Sequence, residues 1–373
     1  MLFTIIVFIA ILSVLVLIHE AGHYFAAKKL GVKVEEFGFG FPPRIIGKKI
    51  GETIYSLNLL PIGGFVKLFG EDATGGGSVG TVDEKALQAK GKDLKCAFFA
   101  RPVWQRGSIV VAGVVMNFLL ALVILTYLFA FVGVTTAGNK VLIVGIAKNS
   151  PAEKAGLISG DQIIKINNEN VTNPDTVTLY TKKHLGQSLT LLLLRSKEKQ
   201  QIIHIIPRTK YPSNEGAMGI AISTNVFLKK YPLYEAPFIG LRQTLVDSWK
   251  ILQGLGQTIN QVAVERTVPN DLAGPVGIAQ LTGQFIHVGP FAVLSLLALL
   301  SLNLAVLNIL PIPALDGGRL LFILIEGLTR KKVSPKIEGY IHAAGMIVLL
   351  ILVALITLHD ITRALSGQSL QFK

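Results

Sequence analysis

The sequence predicts a polytopic α-helical membrane protein with four transmembrane helices, a β element at membrane depth and one α+β domain outside the bilayer. Three observations carry this. Hydrophobic residues are 51% of the 373 and charged residues 16%, against about 25% charged in soluble proteins, and the mean hydropathy is +0.55. Four runs long enough to cross a bilayer hold no Asp, Glu, Lys or Arg. Between the second and third runs lies a more polar stretch patterned as short strands and helices. The same composition excludes general disorder, which needs low hydrophobicity. Cys96, alone in the chain, excludes a disulfide scaffold.

The first run, Met1–Ile18, rises about 27 Å as a helix, close to a bilayer core. A signal peptide would want a basic start and a small-residue cleavage site. No Lys or Arg precedes the run and His19-Glu20 follows it, so a retained helix is expected. Ser108–Val132, Pro290–Leu310 and Ile341–Leu358 are the other three runs. Four spans put both termini on one side. The connection Tyr24–Gly107 holds thirteen Lys and Arg, and Pro311–Tyr340 holds Arg319, Arg330, Lys331, Lys332 and Lys336. By the positive-inside rule these two connections are cytoplasmic, and 133–289 and both termini are outside.

Val32–Gly70 reads as strands with a turn at Pro61–Gly64. Its dense apolar residues, among them Phe37, Ile45, Ile54, Leu57, Leu59 and Leu68, are expected to be buried in the protein interior at membrane depth. Asp72–Asp93, rich in Gly and charge, reads as a loop. Phe98–Arg106 is an amphipathic approach to the second span. Lys140–Arg208 reads as a compact domain: strands at Val141–Ala147, Asp161–Asn167, Ser188–Arg195 and Gln201–Pro207, a short helix opened by Ser150-Pro151, and a helix over Asp175–Leu185. Pro237–Val262 has helical apolar spacing. That helix either lies on the outer membrane surface or packs on the strand domain.

The first span runs into His19-Glu20-Ala-Gly-His23. Histidines one turn apart share a helix face, which fits two imidazole ligands to one zinc with Glu20 beside it as general base. The alternative is a pair of hydrogen-bonded buried histidines. Ionisable groups at the end of an uncharged span are expensive and mark function. A catalytic zinc keeps three protein ligands and one open position. Asp316, after the third span in Asn308-Ile-Leu-Pro-Ile-Pro-Ala-Leu-Asp-Gly-Gly318, is the candidate third ligand. It falls at the same end of its span as His19 and His23. Its other role is to cap a helix starting at Gly317, and both roles can hold. His184, His204, His287, His342 and His359 have no partner at ligand spacing and are not expected to bind metal.

These paired motifs resemble the bacterial site-2 proteases, intramembrane zinc metalloproteases, and within them the regulator-of-sigma-E protease type with a single PDZ domain. The likeness covers nearly the whole chain. Phe37–Gly40 and the following strands resemble that family's membrane-re-entrant β element, Ala112-Gly113 and Asn117 the approach through its second span, and Lys140–Arg208 its PDZ domain. The resemblance implies the following division: 1–30 first transmembrane helix with the zinc motif; 31–71 re-entrant β element; 72–107 cytoplasmic loop; 108–132 second transmembrane helix; 138–210 PDZ domain, extracytoplasmic; 211–289 linker and amphipathic helix; 290–328 third transmembrane helix and Asp-Gly motif; 329–373 fourth transmembrane helix and C-terminus. It implies Zn2+ held by His19, His23 and Asp316, with Glu20 as catalytic base. It also implies that Asn308 holds an unwound substrate backbone, a helix-packing role being the alternative. Expected substrates are single-span membrane proteins, anti-sigma factors or signal-peptide remnants, pre-cut by another protease. The place is the bacterial cytoplasmic (inner) membrane, with the lipid bilayer as surroundings and the active site near its cytoplasmic side. The PDZ domain would exclude substrates that keep a bulky outer domain, or else recruit substrates by their tails.

Two other classes share part of this pattern. A non-catalytic membrane PDZ scaffold with structural zinc would not need Glu20. A zinc transporter would want ionisable residues along several spans, and spans two and four nearly lack them. The net charge of +13 is scattered rather than gathered on one face with aromatics, so no nucleic-acid partner is expected.

Overall fold

The computed structural model describes residues 2–71, 94–195, 199–212, 215–265, 272–331 and 333–366. The loop expected at Asp72–Asp93 and the last residues, 367–373, lie outside them. The chain forms two compact units, one of residues Met1–Ala130 with Pro232–Lys373 and one of Phe131–Tyr231.

Helix α1 (Leu2–Lys29) continues past the uncharged run through both histidines. It ends on Lys28 and Lys29, whose charges suit the negative end of the helix dipole. Strands β1 (Val34–Ile50) and β2 (Thr53–Leu68) follow. The reversal between them lies at Gly51-Glu52. Pro61–Gly64, expected as a turn, is part of β2. Both strands bend instead, so that Phe37 pairs with Val66 on one side and with Tyr55 on the other.

The burial expected of this element holds only in part. Val34, Leu68 and Phe69 are buried, but Ile45, Ile46, Ile50, Leu57, Leu59 and Leu60 are exposed. Polar Thr53 and Asn58 take interior places, donating to Val34 O and Gly40 O, both at 2.9 Å. Backbone carbonyls thus satisfy both buried polar side chains.

Helix α2 (Val103–Tyr127) carries on as a wider helical turn through Leu128–Val132. The second unit then builds a six-stranded sheet. β3 (Val134–Ile146) leads to α3 (Pro151–Lys154), β4 (Gln162–Ile166), β5 (Glu169–Asn170), α4 (Pro174–Lys183), β6 (Leu189–Arg195), β7 (Lys199–Ile205) and β8 (Ile220–Lys229). The strand order is β7-β6-β4-β3-β8, with β5 on β4. Leu189, Leu191 and Leu193 alternate into a core with Val141, Ile143, Ile163 and Ile166. Ser150 Oγ accepts from Glu153 N, the cap expected there, and Asn173 Oδ1 accepts from Thr176 N to cap α4.

Two features here were not expected. β3 begins at Val134, in a stretch read as a connector. β8 lies in the stretch read as a linker, and pairs with β3 from Val134↔Lys229 to Ile146↔Ile220. β8 is half exposed, so its alternation in sequence is diluted by polar Ser223, Thr224 and Asn225.

Helix α5 (Ala236–Asn260) packs on α2 and, with α6 (Pro275–Val288), on α7 (Pro290–Ile309). This packing on α2 and α7, with Gly240 and Thr244 buried, differs from both expected positions, the outer membrane surface and the strand domain. α6 was also unforeseen; its start is held by Asp360, which accepts from Gly274 N at 2.9 Å and Gly277 N at 2.7 Å. α8 (Asp316–Thr329) is tied to α2 by Arg106 and Glu326, 2.6 Å apart, and α9 (Pro335–Leu365) carries Asp360. Among the described residues four helices are long and apolar enough to cross a membrane: Leu2–Lys29, Val103–Val132, Pro290–Ile309 and Lys336–Leu365. The chain is a polytopic membrane protein.

Candidate metal centre

Successive turns of α1 place His19 and His23 on one face, their Nε2 atoms 3.3 Å apart. Two glycines explain how other elements come close enough. A Cβ on Gly113 of α2 would lie 2.4 Å from His23 Nε2 and 2.8 Å from His19 Cε1, so only hydrogen fits where α2 crosses the histidines. A Cβ on Gly317 would lie 1.9 Å from Leu310 O. The chain after α7 therefore folds back tightly on the first turn of α8.

That fold-back delivers Asp316. It is the first residue of α8, the cap position is Leu315, and no side-chain capping bond is present. Its Oδ2 instead lies 2.9 Å from His19 Nε2 and 3.3 Å from His23 Nε2. Of the two roles left open by the sequence, the structure displays the contact with the histidines and not the cap.

The surroundings fix the imidazoles. His23 Nδ1 lies 2.8 Å from Ile109 O, an acceptor, so the proton sits on Nδ1 and Nε2 presents a lone pair. His19 Nδ1 lies 3.3 Å from the Asn117 amide. Asn117 is fully buried, and among the described residues its Oδ1 has no hydrogen-bond partner. A half-turn of that amide lets Oδ1 accept Nδ1–H, leaving a lone pair on His19 Nε2 as well. Ser301 Oγ donates to Asn117 O at 2.8 Å, tying α7 to this arrangement. Two imidazole lone pairs and a carboxylate oxygen thus converge, their ligand atoms within 4.8 Å of one another. Three acceptors facing each other suit a cation, and two nitrogens with one oxygen are a zinc donor set with a position left open.

Glu20, Asn308 and the triad line one cavity of about 320 Å3. Asn308 Nδ2 lies 3.4 Å from His19 Nε2. The strand segment Gly64–Val66 forms part of the wall, as do Glu71, Arg319 and His342. The last three were missed from the sequence. Arg319 and Glu71 form an ion pair between α8 and the end of the β element. His342 stands in the cavity wall, where its Nδ1 accepts from Ala314 N at 3.0 Å. Ala314 has φ 77°, uncommon without glycine. No local pattern announces a pairing between such distant residues. A clue lay in Arg319 following Asp316 by one helical turn.

Comparison with known proteins bears on this centre. The sequence profile of peptidase family M50 matches residues 7–352. A Clostridium acetobutylicum protein is 33% identical over 96% of this chain and 97% of its own length. The zinc metalloprotease RasP of Shouchella clausii is 31% identical over 97% of this chain and 100% of its own. That of Bacillus licheniformis is 30% identical over 96% and 99%.

Proposed function

Since the chain belongs to peptidase family M50 and is a zinc metalloprotease, we propose that it cleaves the transmembrane segments of single-span membrane proteins, with His19, His23 and Asp316 as zinc ligands and Glu20 as general base. The observation that carries this is the convergence of that donor set with Glu20 in one cavity, on helices long enough to cross a membrane.

Zinc held by His19, His23 and Asp316 would supply a Lewis acid for the peptide carbonyl and lower the pKa of nearby water. Glu20 takes the water proton and returns it to the leaving amine. Asn117 and the Ile109 carbonyl keep the two imidazoles turned inward.

A helical substrate must unwind before its carbonyls are reached, and the exposed groups need partners. The pairing of Phe65 and Val66 with Gly38 and Phe37 occupies one edge of that segment, and the segment also lines the cavity. A substrate strand added to its other edge is held by backbone bonds. Asn308 holds the same backbone near His19. The exposed Ile45, Ile46, Leu59 and Leu60 suit a β element that dips into lipid.

The charge on Tyr24–Gly107 supports a cytoplasmic site in a bacterial inner membrane, with the termini and the 138–210 PDZ domain outside. In this reading the PDZ domain excludes substrates that keep large outer domains, so that anti-sigma factors or signal-peptide remnants shortened by an earlier cut pass. The test is reconstitution of the full chain in vesicles with a single-span substrate. Cleavage inside the apolar segment, abolished by a chelator and restored by zinc, is the expected result. Cleavage confined to loops outside the segment would refute it.

A further inference from the structure

Resting on the metalloprotease reading above, we propose that His342 is a substrate-binding residue whose Nε2–H donates to a backbone carbonyl of the peptide strand drawn into the cavity. Ala314 N–H donates to His342 Nδ1 at 3.0 Å, so Nδ1 carries the lone pair and the proton of the neutral ring is on Nε2. The side chain is 5% exposed. Among the described residues Nε2 has no hydrogen-bond partner. The carboxylate of Glu338, one turn earlier on α9, is 3.9 Å away, beyond hydrogen-bond range.

A buried donor without an acceptor is unfavourable, and folded chains keep such a group where something else completes it. The ring shares its cavity with His19, Glu20, His23 and Asp316. The guanidinium in the same wall, Arg319, is engaged by Glu71 through Nη1, and its Nη2 is a second buried donor without a partner among the described residues. An unwound apolar segment enters with the opposite deficiency, since its carbonyls have lost their helical donors. His342 is thus a preset donor beside the reacting centre, held in orientation by the bend at Ala314 that precedes Asp316.

The two ring nitrogens can be tested separately. Asn in place of His342 sets an amide oxygen near the Nδ1 position and keeps the Ala314 bond, but has nothing at Nε2. Gln places an amide N–H near Nε2. The measurement is equilibrium binding of a lysine-flanked apolar peptide of about 20 residues. It uses the zinc-loaded full chain carrying Glu20→Gln, which removes turnover. Zinc content and thermal midpoint are recorded for each variant, and cleavage by the native chain is assayed alongside.

We expect His342→Asn to weaken binding about tenfold at unchanged zinc content, and His342→Gln to recover most of it. Binding by the Asn variant equal to the parent's would overturn the proposal while leaving the protease reading intact. So would equal losses in both variants, or a loss of zinc from the Asn variant, because each marks a structural role. Absence of zinc-dependent cleavage by the native chain would overturn both readings.

Discussion

His19 Nε2 lies 2.9 Å from Oδ2 of Asp316, although almost the whole chain separates the two residues. The contact exists because α8 begins at Asp316 with its carboxylate turned away from the helix start. A helix-capping Asp would point the other way. Asn caps as well as Asp, so Asp316→Asn separates the roles. Outer-sphere substitutions already weaken metal sites about 10–100-fold, and replacing a ligand should exceed that. The expected variant is folded by circular dichroism, has zinc affinity lowered more than about 100-fold, and is inactive. Native zinc affinity in this variant would remove Asp316 from the ligand set.

The approach of α2 gives a second prediction. Gly113→Ala drives a methyl group into His23 Nε2 and His19 Cε1, so both imidazoles must move. Asn117→Ala leaves the helix contact intact and removes only the partner of His19 Nδ1. We expect near-complete loss of zinc from the first and about 10–100-fold weaker zinc in the second, read by metal titration. Equal zinc affinities in the two variants and the native chain would contradict the packing account.

The sequence made the spans and the zinc motif legible for a simple reason. An uncharged run of bilayer length and two histidines one turn apart are local patterns. Asp316 was visible because it ends a span in a motif with two glycines, although whether it capped or ligated was not. Asn117–His19, Glu71–Arg319 and Ala314–His342 were hidden, since each joins residues far apart with no shared period. β8 was hidden because its alternation is interrupted by Ser223, Thr224 and Asn225 on an outer strand. The burial expected of Ile45, Leu57 and Leu59 treated apolar residues as a core, when the surroundings of this chain are themselves apolar.

The strand unit carries a pH-dependent bond. Burial alone pushes the Asp161 carboxyl up, but hydrogen bonds from Arg195, at 2.7 and 2.8 Å, and from Ile158 N more than offset it, holding it below its ordinary value of 3.8. A depressed folded value contributes stability above the unfolded value and loses it as pH falls through the folded one. The protection factors of the β4 and β6 amides in the full chain should therefore fall below about pH 4. Asp161→Asn should be less protected at neutral pH and flatter across the acid range. An unchanged acid response in that variant would assign the effect elsewhere.

The pairing of Val134 with Lys229 brings the two ends of the unit together. Residues 134–229 can therefore be replaced by a short Gly-Ser linker, whereas excising 138–210 would remove most of β3 and leave Ile220–Thr224 of β8 without their strand partners. A domain that filters substrates predicts that this deletion permits cleavage of an uncut, long-tailed substrate. A recruiter predicts reduced cleavage of long and short versions alike. Gel assay of both lengths of one substrate distinguishes them.

The central claim is that Glu20 acts as base beside a zinc it does not bind. The most direct measurement is zinc content and intramembrane cleavage of purified Glu20→Gln in parallel with the native chain. The account predicts full zinc occupancy with cleavage lowered by at least about 100-fold, the lower range for a missing general base. Retained cleavage, or loss of zinc from the variant, would contradict it.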